Sequence, residues 1–214
     1  TDYVLNVNQQ NILMQKERDF RDTIIVEEKL DGSNCCVAKI NDEIYSLTRK
    51  GYLANTSPFE QHHYFEKWVQ KNFKRFNELL KNGERIVGEW LMQAHGTRYL
   101  LPHEPFVVFD LFDEKNQRLL YLNLLKRTAK FDFVSPKLFH IGQPLPLKKA
   151  RKMINNESGH GAIDPTEGVV YRCERNNKVE FLGKYVRTEK IDGYFLDDQW
   201  DKLTFNVAPE LLNI

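Results

Sequence analysis

What the chain lacks narrows it before any motif is read. It has no charge imbalance: 31 Lys and Arg stand against 30 Asp and Glu, a net charge of +1. Global electrostatics therefore make no case for a polyanionic partner, and any basic surface must be local. Its three cysteines, Cys35, Cys36 and Cys173, form no Cys-x-x-Cys pair, and the neighbours Cys35 and Cys36 would point to opposite faces of a strand. That usage fits a reduced, intracellular compartment better than a disulfide framework. No apolar run approaches the ~18 residues a membrane span needs, and no signal-peptide pattern is present. Repeats, low-complexity tracts and long linkers are also missing. The chain begins at Thr1 and reads as processed or trimmed.

What is present is an ordinary globular composition, 41% hydrophobic and 29% charged over 214 residues. That is enough chain for one domain with a sound core. Ile24–Glu28, Cys35–Ile40 and Glu43–Thr48 read as short strands, the first two joined by Asp31-Gly32 and the second pair by Asn41-Asp42. A helix is expected from Pro58 to about Asn82, with Ser57 as N-cap and Gly83 as stop. Its apolar positions Phe65, Trp68, Val69, Phe73, Phe76, Leu79 and Leu80 recur at helical spacing. Ile86–Leu91 and Phe106–Phe112 are further strands, Leu122–Phe131 and Leu147–Ile154 short helices. Gly168–Cys173 and Val179–Val186 should form a hairpin across Asn176-Asn177. Strands joined mostly by short turns, with helices interspersed, predict an α+β domain on antiparallel sheet. The last stretch, Asp197–Ile214, is too short for a second domain.

The chemistry centres on Lys29-Leu30-Asp31-Gly32, a charged turn between two apolar strands. Lys-x-Asp-Gly alone is weak: with each fixed residue near 6% in frequency, a chain this long shows it by chance about one time in twenty. Lys190-Ile191-Asp192-Gly193 repeats the pattern, so context must choose. Lys29 follows one strand, precedes another, and is followed in order by Thr48-Arg49-Lys50-Gly51, Gly88-Glu89 in "IVGEWL", Phe109-Asp110 in "FVVFDLF", Glu167-Gly168 opening "EGVVYR", and Lys184 in "VEFLGKYVR". Each has an ordinary structural explanation by itself. The ordered set does not.

This set resembles the covalent nucleotidyltransferases, the polynucleotide ligases and messenger-RNA capping enzymes, and within them the RNA ligase 2 type. The resemblance runs from about Ile24 to Arg187. It implies a single adenylyltransferase domain over residues 1–214: two antiparallel sheets flanked by helices, ATP-grasp-like, with the nucleotide between them. It also implies an ATP-dependent RNA ligase that carries AMP on Lys29, passes it to a 5′-phosphate end, and seals that end to a 3′-OH. Asn34 stands where DNA ligases usually carry Arg, as in RNA ligase 2 relatives, where the Asn serves the 3′-OH end. Other readings in the same superfamily are a DNA ligase or a capping guanylyltransferase; a non-ligating nucleotide- or RNA-binding module is the reading outside it. Two departures stand out. Leu182 replaces the first of two lysines usual in the last motif, leaving Lys184, with Arg187 a candidate substitute. No oligonucleotide-binding barrel follows.

The resemblance assigns roles residue by residue. Glu89 would bind the ribose hydroxyl and Phe109 would stack on adenine. Arg49 and Lys184 would neutralise phosphate, and Glu167, with Asp110, would hold Mg²⁺ or Mn²⁺. Glu28 is the candidate acceptor for the adenine amine, with Leu30 in the nucleotide pocket. Asp31, Asn34 and Arg187 are candidates for the nucleic-acid end, Asp31 alternatively being a turn residue only. A lysine attacks phosphorus only when neutral, and with an ordinary pKa of ~10.4 about one in a thousand is neutral near pH 7.4. Lys29 is therefore expected to sit enclosed. Of His62 and His63, on the long helix, one should pack and the other be wet; the remaining histidines lack zinc spacing. "PLKKARKM" (Pro146–Met153) reads as a basic helix, either a solvated face or a phosphate-contacting one. Arg98 and Tyr99 are candidates for lining a nucleic-acid surface. The expected partners are RNA ends, on a nicked duplex or otherwise, with an end-healing kinase or phosphatase. No membrane is involved, and the chain is expected to be a monomer.

Overall fold

The computed structural model describes residues 4–156, 159–196 and 203–212. The architecture is α+β, with two antiparallel sheets of four strands each. The chain divides into two compact units, each built on one of the sheets.

The first unit comprises Thr1–Leu30, Pro136–Gly159 and Pro165–Lys190. It contains α1 (Val7–Met14), β1 (Thr23–Lys29), β6 (Leu138–Gly142), α5 (Leu147–Asn156), β7 (Gly168–Arg175) and β8 (Lys178–Val186), and its sheet order is β6-β1-β7-β8. The side chains of Ile24, Val26, Val169, Tyr171 and Cys173 pack with Ile12 and Leu13 of α1 and with Ala150 and Ile154 of α5. Strand alternation sends Ile25, Glu27, Lys29, Val170, Arg172 and Lys184 to the opposite face.

The second unit comprises Asp31–Ser135, His160–Asp164 and Ile191–Ile214. It holds β2 (Ser33–Ile40), β3 (Glu43–Thr48), β4 (Arg85–Trp90) and β5 (Phe106–Phe112) in the order β3-β2-β4-β5. Three helices accompany them, α2 (Glu60–Lys71), α3 (Phe73–Leu79) and α4 (Tyr121–Thr128). Its core is aromatic: Phe65 and Phe106 have ring centroids 5.2 Å apart, and Trp68 and Trp90 5.5 Å. Such pairs add about 0.5–1.5 kcal/mol each beyond the area they bury. In β4 burial alternates, so Ile86 and Trp90 enter this core while Val87 and Glu89 face the other way.

Several sequence expectations need correction. Asp31-Gly32 is no hairpin turn: both edges of β1 are occupied by β6 and β7, and β2 pairs with β3 and β4, so this dipeptide leads the chain from one sheet into the other. The long helix is two helices, interrupted at Asn72 (φ −98°, ψ 17°), whose side-chain amide donates to the Trp68 carbonyl at 2.8 Å. It starts at Glu60 rather than Pro58, with Ser57 Oγ accepting the Phe59 N–H. It ends at Leu79, and Gly83, at φ 85°, serves the turn before β4. The expected hairpin turns do form, with positive φ at Asn41 and Asp42 and at Asn176 and Asn177. The predicted helix 122–131 is α4 followed by a 3-10 turn, Ala129–Phe131. Helix α1 and edge strand β6 are additional. Part of the last stretch, residues 197–202 and 213–214, lies outside the described residues; Phe205 and Leu212 pack on the second unit's core.

Candidate active site

In the first unit, Lys29 ends β1 directly opposite Gly168, and Gly168 is opposite Val186. The Lys29 ammonium donates to the Glu167 carboxylate and, at 3.4 Å, to the Leu30 carbonyl. The lysine side chain is 20% exposed and the glutamate 12%, so the pair is half-buried rather than free in solvent. Gly168 explains the Glu-Gly pair: a Cβ there would overlap the Tyr185 carbonyl oxygen. The glycine lets β8 close against β7 at this row, and the Arg187 N–H donates to the Glu167 carbonyl at 3.0 Å. Lys184 is exposed on the same face, in the row Glu27–Val170–Lys184. Glu27 and Arg172, also on that face, are 5% and 2% exposed. The alternation of β1 and β7 selects both, but only once the register says which parity belongs to Lys29.

Glu28 points the other way. It is buried, and its carboxylate accepts the Gly159 N–H at 2.8 Å. Arg187 donates from Nη2 to the Ile154 carbonyl at 3.4 Å. The second motif copy differs in setting. Lys190 lies in a turn, its N–H bonded to the Arg187 carbonyl, followed by exposed Ile191 and Asp192 and by Gly193 at φ 68°.

In the second unit, Gly32 N–H donates to Glu89 Oε1 at 3.1 Å. A Cβ on Gly32 would come within 2.6 Å of the Trp90 carbonyl oxygen, so only glycine fits beside β4. Asn34 is the register partner of Glu89, which puts both on the face turned away from the aromatic core. Asp31 is 5% exposed; its carboxylate accepts the Gly96 N–H at 2.7 Å, and its own N–H donates to the Tyr99 hydroxyl. It therefore anchors the 93–99 loop as well as turning the chain. Phe109 sits at a bulge: Asp110 pairs with Val87 and Val108 with Gly88, so Phe109 falls between two successive register pairs. Bulges re-aim side chains at working sites. Asp110 is buried, and Arg118 Nε donates to it at 2.9 Å. Arg49 is exposed just past β3.

Other tempting residues have structural partners. Arg98 forms a two-pronged ion pair with Asp164, both contacts at 2.9 Å, and Tyr99 is 2% exposed. His62 and His63 are both half-buried, and both meet Ser57: His62 Nδ1 pairs with its Oγ at 2.6 Å and His63 Nε2 with its carbonyl at 2.7 Å. Burial, followed by the neighbouring His95 and His63 charges, pushes His62 down to about 4. His103 and His160 form a hydrogen-bonded pair at 2.7 Å. Among the described residues no group of three or more His, Cys, Asp or Glu could cage a metal ion, and no helix is long and apolar enough to cross a membrane.

Comparison with known proteins follows this geometry. A family model described as RNA ligase matches residues 22–186. An uncharacterised protein of Methanocaldococcus jannaschii is 46% identical over 37 residues, 17% of this chain and 9% of that one. Among solved structures, a variant of Naegleria gruberi RNA ligase with ATP and Mn matches at a TM-score of 0.59 with 17% identity, over 82% of this chain and 53% of that one. Another variant of that enzyme, with AMP and Mn, matches at 0.58 with 19% identity, over 82% and 53%. An archaeal ATP-dependent RNA ligase matches at 0.51 with 23% identity, over 78% and 43%. The chain thus spans about half the length of the solved structures it matches, and at these identities the likeness is one of fold.

Proposed function

The chain belongs to the RNA ligase family, and from that premise we propose that it is an ATP-dependent RNA ligase, or the adenylyltransferase portion of one, with Lys29 as its nucleophile. The observation that carries this reading is the setting of Lys29. Of two Lys-x-Asp-Gly copies, this one holds its lysine at the end of a central strand, paired with Glu167, whereas Lys190 follows a turn outside the strands.

In the first step, Lys29 Nζ bonds to the α-phosphorus of ATP as the bond to pyrophosphate breaks. The amine needs its lone pair, so its proton must leave and its pair with Glu167 must open. Glu167, already accepting from the ammonium, orients the amine while its proton passes to water. A bound divalent cation would supply positive charge against the phosphate oxygens. Glu167 is the carboxylate beside Lys29 that would hold it. A single carboxylate suits Mg²⁺ or Mn²⁺, which complete their shells with water and substrate phosphate. Asp110 joins as a second ligand only if Arg118 yields it.

Lys184 and Arg49 balance the charge that develops on phosphate. Glu89, fixed by Gly32, takes the ribose hydroxyl. Phe109 stacks on adenine, for about 1–3 kcal/mol, with Leu30 beside the nucleotide; Glu28 could reach the adenine amine only by leaving the Gly159 N–H on the opposite face of β1. AMP then passes to the 5′-phosphate of an RNA end. A 3′-OH displaces it and forms the phosphodiester, with Asp31, Asn34 and Arg187 serving the ends. In this reading the two units together make one nucleotidyltransferase domain.

The test is intact mass after incubation with ATP and Mg²⁺, paired with α-phosphate label from ATP, GTP and NAD. A gain of one AMP, from ATP alone, lost in Lys29→Ala and kept in Lys190→Ala, is expected. Folded protein that gains nothing, or an adduct that survives Lys29→Ala, overturns the proposal.

A further inference from the structure

Helix α5 carries Lys148, Lys149, Arg151 and Lys152, all exposed, while Ala150 and Ile154 on its other side are buried in the first unit's core. The arrangement is costly for a helix by itself: Lys148 stands three and four residues before Arg151 and Lys152, where like charges repel. Elsewhere the arginines of this chain mostly find carboxylates, as Arg18, Arg75, Arg98, Arg127 and Arg175 do. The four α5 cations form no ion pair with any acid among the described residues; the recorded contact of Arg151 is with the Tyr185 ring, at 5.7 Å. Leu147, Lys148, Arg151 and Lys152 line an open concavity.

The position of this face matters as much as its charge. The carbonyl of Ile154, in the last turn of α5, accepts from the Thr166 hydroxyl at 3.2 Å and from Arg187 Nη2 at 3.4 Å. Thr166 precedes Glu167, the partner of Lys29, and Arg187 follows Val186, which lies opposite Gly168 in the same row. From Ile154 back to Lys152 and Lys148 is about 3 and 9 Å of helix rise. The cations thus stand within about 9 Å, along the helix, of the carbonyl that Thr166 and Arg187 share.

We propose that α5 is a docking surface for the phosphodiester backbone of the RNA whose end reaches Lys29. The proposal rests on the RNA ligase reading above and assigns it a strand-tracking surface outside the nucleotide-handling residues. The charge is local on a chain whose net charge is +1, which favours a ligand that tracks one helix over a general polyanion affinity.

The test is direct titration of 5′-phosphorylated single-stranded RNA over a range of salt, using the full chain and the variant Lys148→Gln/Lys149→Gln/Arg151→Gln/Lys152→Gln. Glutamine is a good helix former, so α5 should persist. A control, Lys74→Gln/Lys115→Gln/Lys126→Gln/Lys130→Gln, removes the same charge elsewhere. With each phosphate contact contributing about 0.7 to the slope of log K against log salt for single strands, the α5 variant should lose about 2–3 from the slope and about 10-fold or more in affinity. The control should stay near the starting protein, and AMP adduct formation from ATP should be unchanged in both. Equal RNA affinity and slope in the α5 variant overturns the proposal, as does equal loss in the control. Binding to anionic vesicles with none to RNA overturns it too. The titration needs no adduct, so failure of adduct formation counts against the ligase reading alone.

Discussion

The Gly32 amide donates to the Glu89 carboxylate at 3.1 Å, so the residue that closes the Lys-x-Asp-Gly motif also fixes the glutamate assigned to the ribose. Glu89→Ala removes both the held acceptor and its ligand contact. Hydrogen bonds to a charged group contribute about 1.5–3 kcal/mol. Adduct formation on Lys29 should slow by roughly 10- to 100-fold at subsaturating ATP. Glu89→Gln keeps an acceptor oxygen and should recover part of that loss. Quench-flow rates for the two variants check the order.

Gly168→Ala should be severe. The added methyl meets the Tyr185 carbonyl oxygen on the adjacent strand, so the β7–β8 ladder must part at the row that holds Lys29. The expected cost is about 2–4 kcal/mol. Denaturant unfolding would register it as a lower midpoint at constant m-value. A midpoint within 0.5 kcal/mol equivalent of the starting protein would contradict the packing described.

Much of this was legible beforehand, and the failures have definite causes. Runs rich in β-branched and apolar residues marked seven of the strands because burial on one or both faces selects such residues. The Asn-Asp and Asn-Asn turns were readable because both residues must take positive φ. Asp31-Gly32 carries the same local signal, yet it is a crossover, since partner choice is set by distant strands. Edge strand β6 escaped because it is half exposed and has β1 as its sole neighbour in the sheet. Apolar periodicity ran straight through Asn72, where a side-chain bond to Trp68 breaks the helix. At the candidate site the motif pointed to Lys29, Glu89 and Glu167. It could not show that Glu28 faces away from Lys29 while Glu27 shares its face, because neighbouring glutamates differ only in parity.

His62 should make the protein acid-sensitive. Burial holds its folded pKa at about 4, below the ordinary ~6.5. The unfolded chain binds the proton first, so stability is full above ~6.5 and falls as pH drops towards 4. By pH 5 the loss is about 2 kcal/mol. His62→Gln should flatten the difference in thermal midpoint between pH 7 and pH 5.

Asp22 should matter for the first unit alone. Its side chain is fully buried and bonds Arg18 and Arg175, at 2.7 and 2.8 Å. Burial pushes its carboxyl up, but the two arginines outweigh that and leave it below the ordinary carboxylate range. Its contribution is present above about pH 4 and disappears as pH falls through the lowered folded value. Asp22→Asn removes a fully buried charge shared by Arg18 and Arg175, while Glu180 and Asp19 still pair them, and should cost about 1.5–3 kcal/mol at pH 7. Hydrogen exchange in β1 and β7 would report it.

The three thiols should be silent. All are buried, and burial pushes Cys36 up to about 12 and Cys173 up to about 11. Iodoacetamide at pH 8 should label none in the folded protein and all three after denaturation, as read by mass.

The tight Asn176-Asn177 turn closes the β7–β8 hairpin at the end away from Gly168 and Val186. Arg175 is at the far end of the eight-residue strand that begins at Gly168, about 23 Å away at strand rise. A fluorophore or short affinity tag grafted onto that tip would ride on the same pair of strands as Gly168 and Glu167, the neighbours of Lys29, at the far end of the hairpin. It would give an optical handle on this sheet without touching the proposed site.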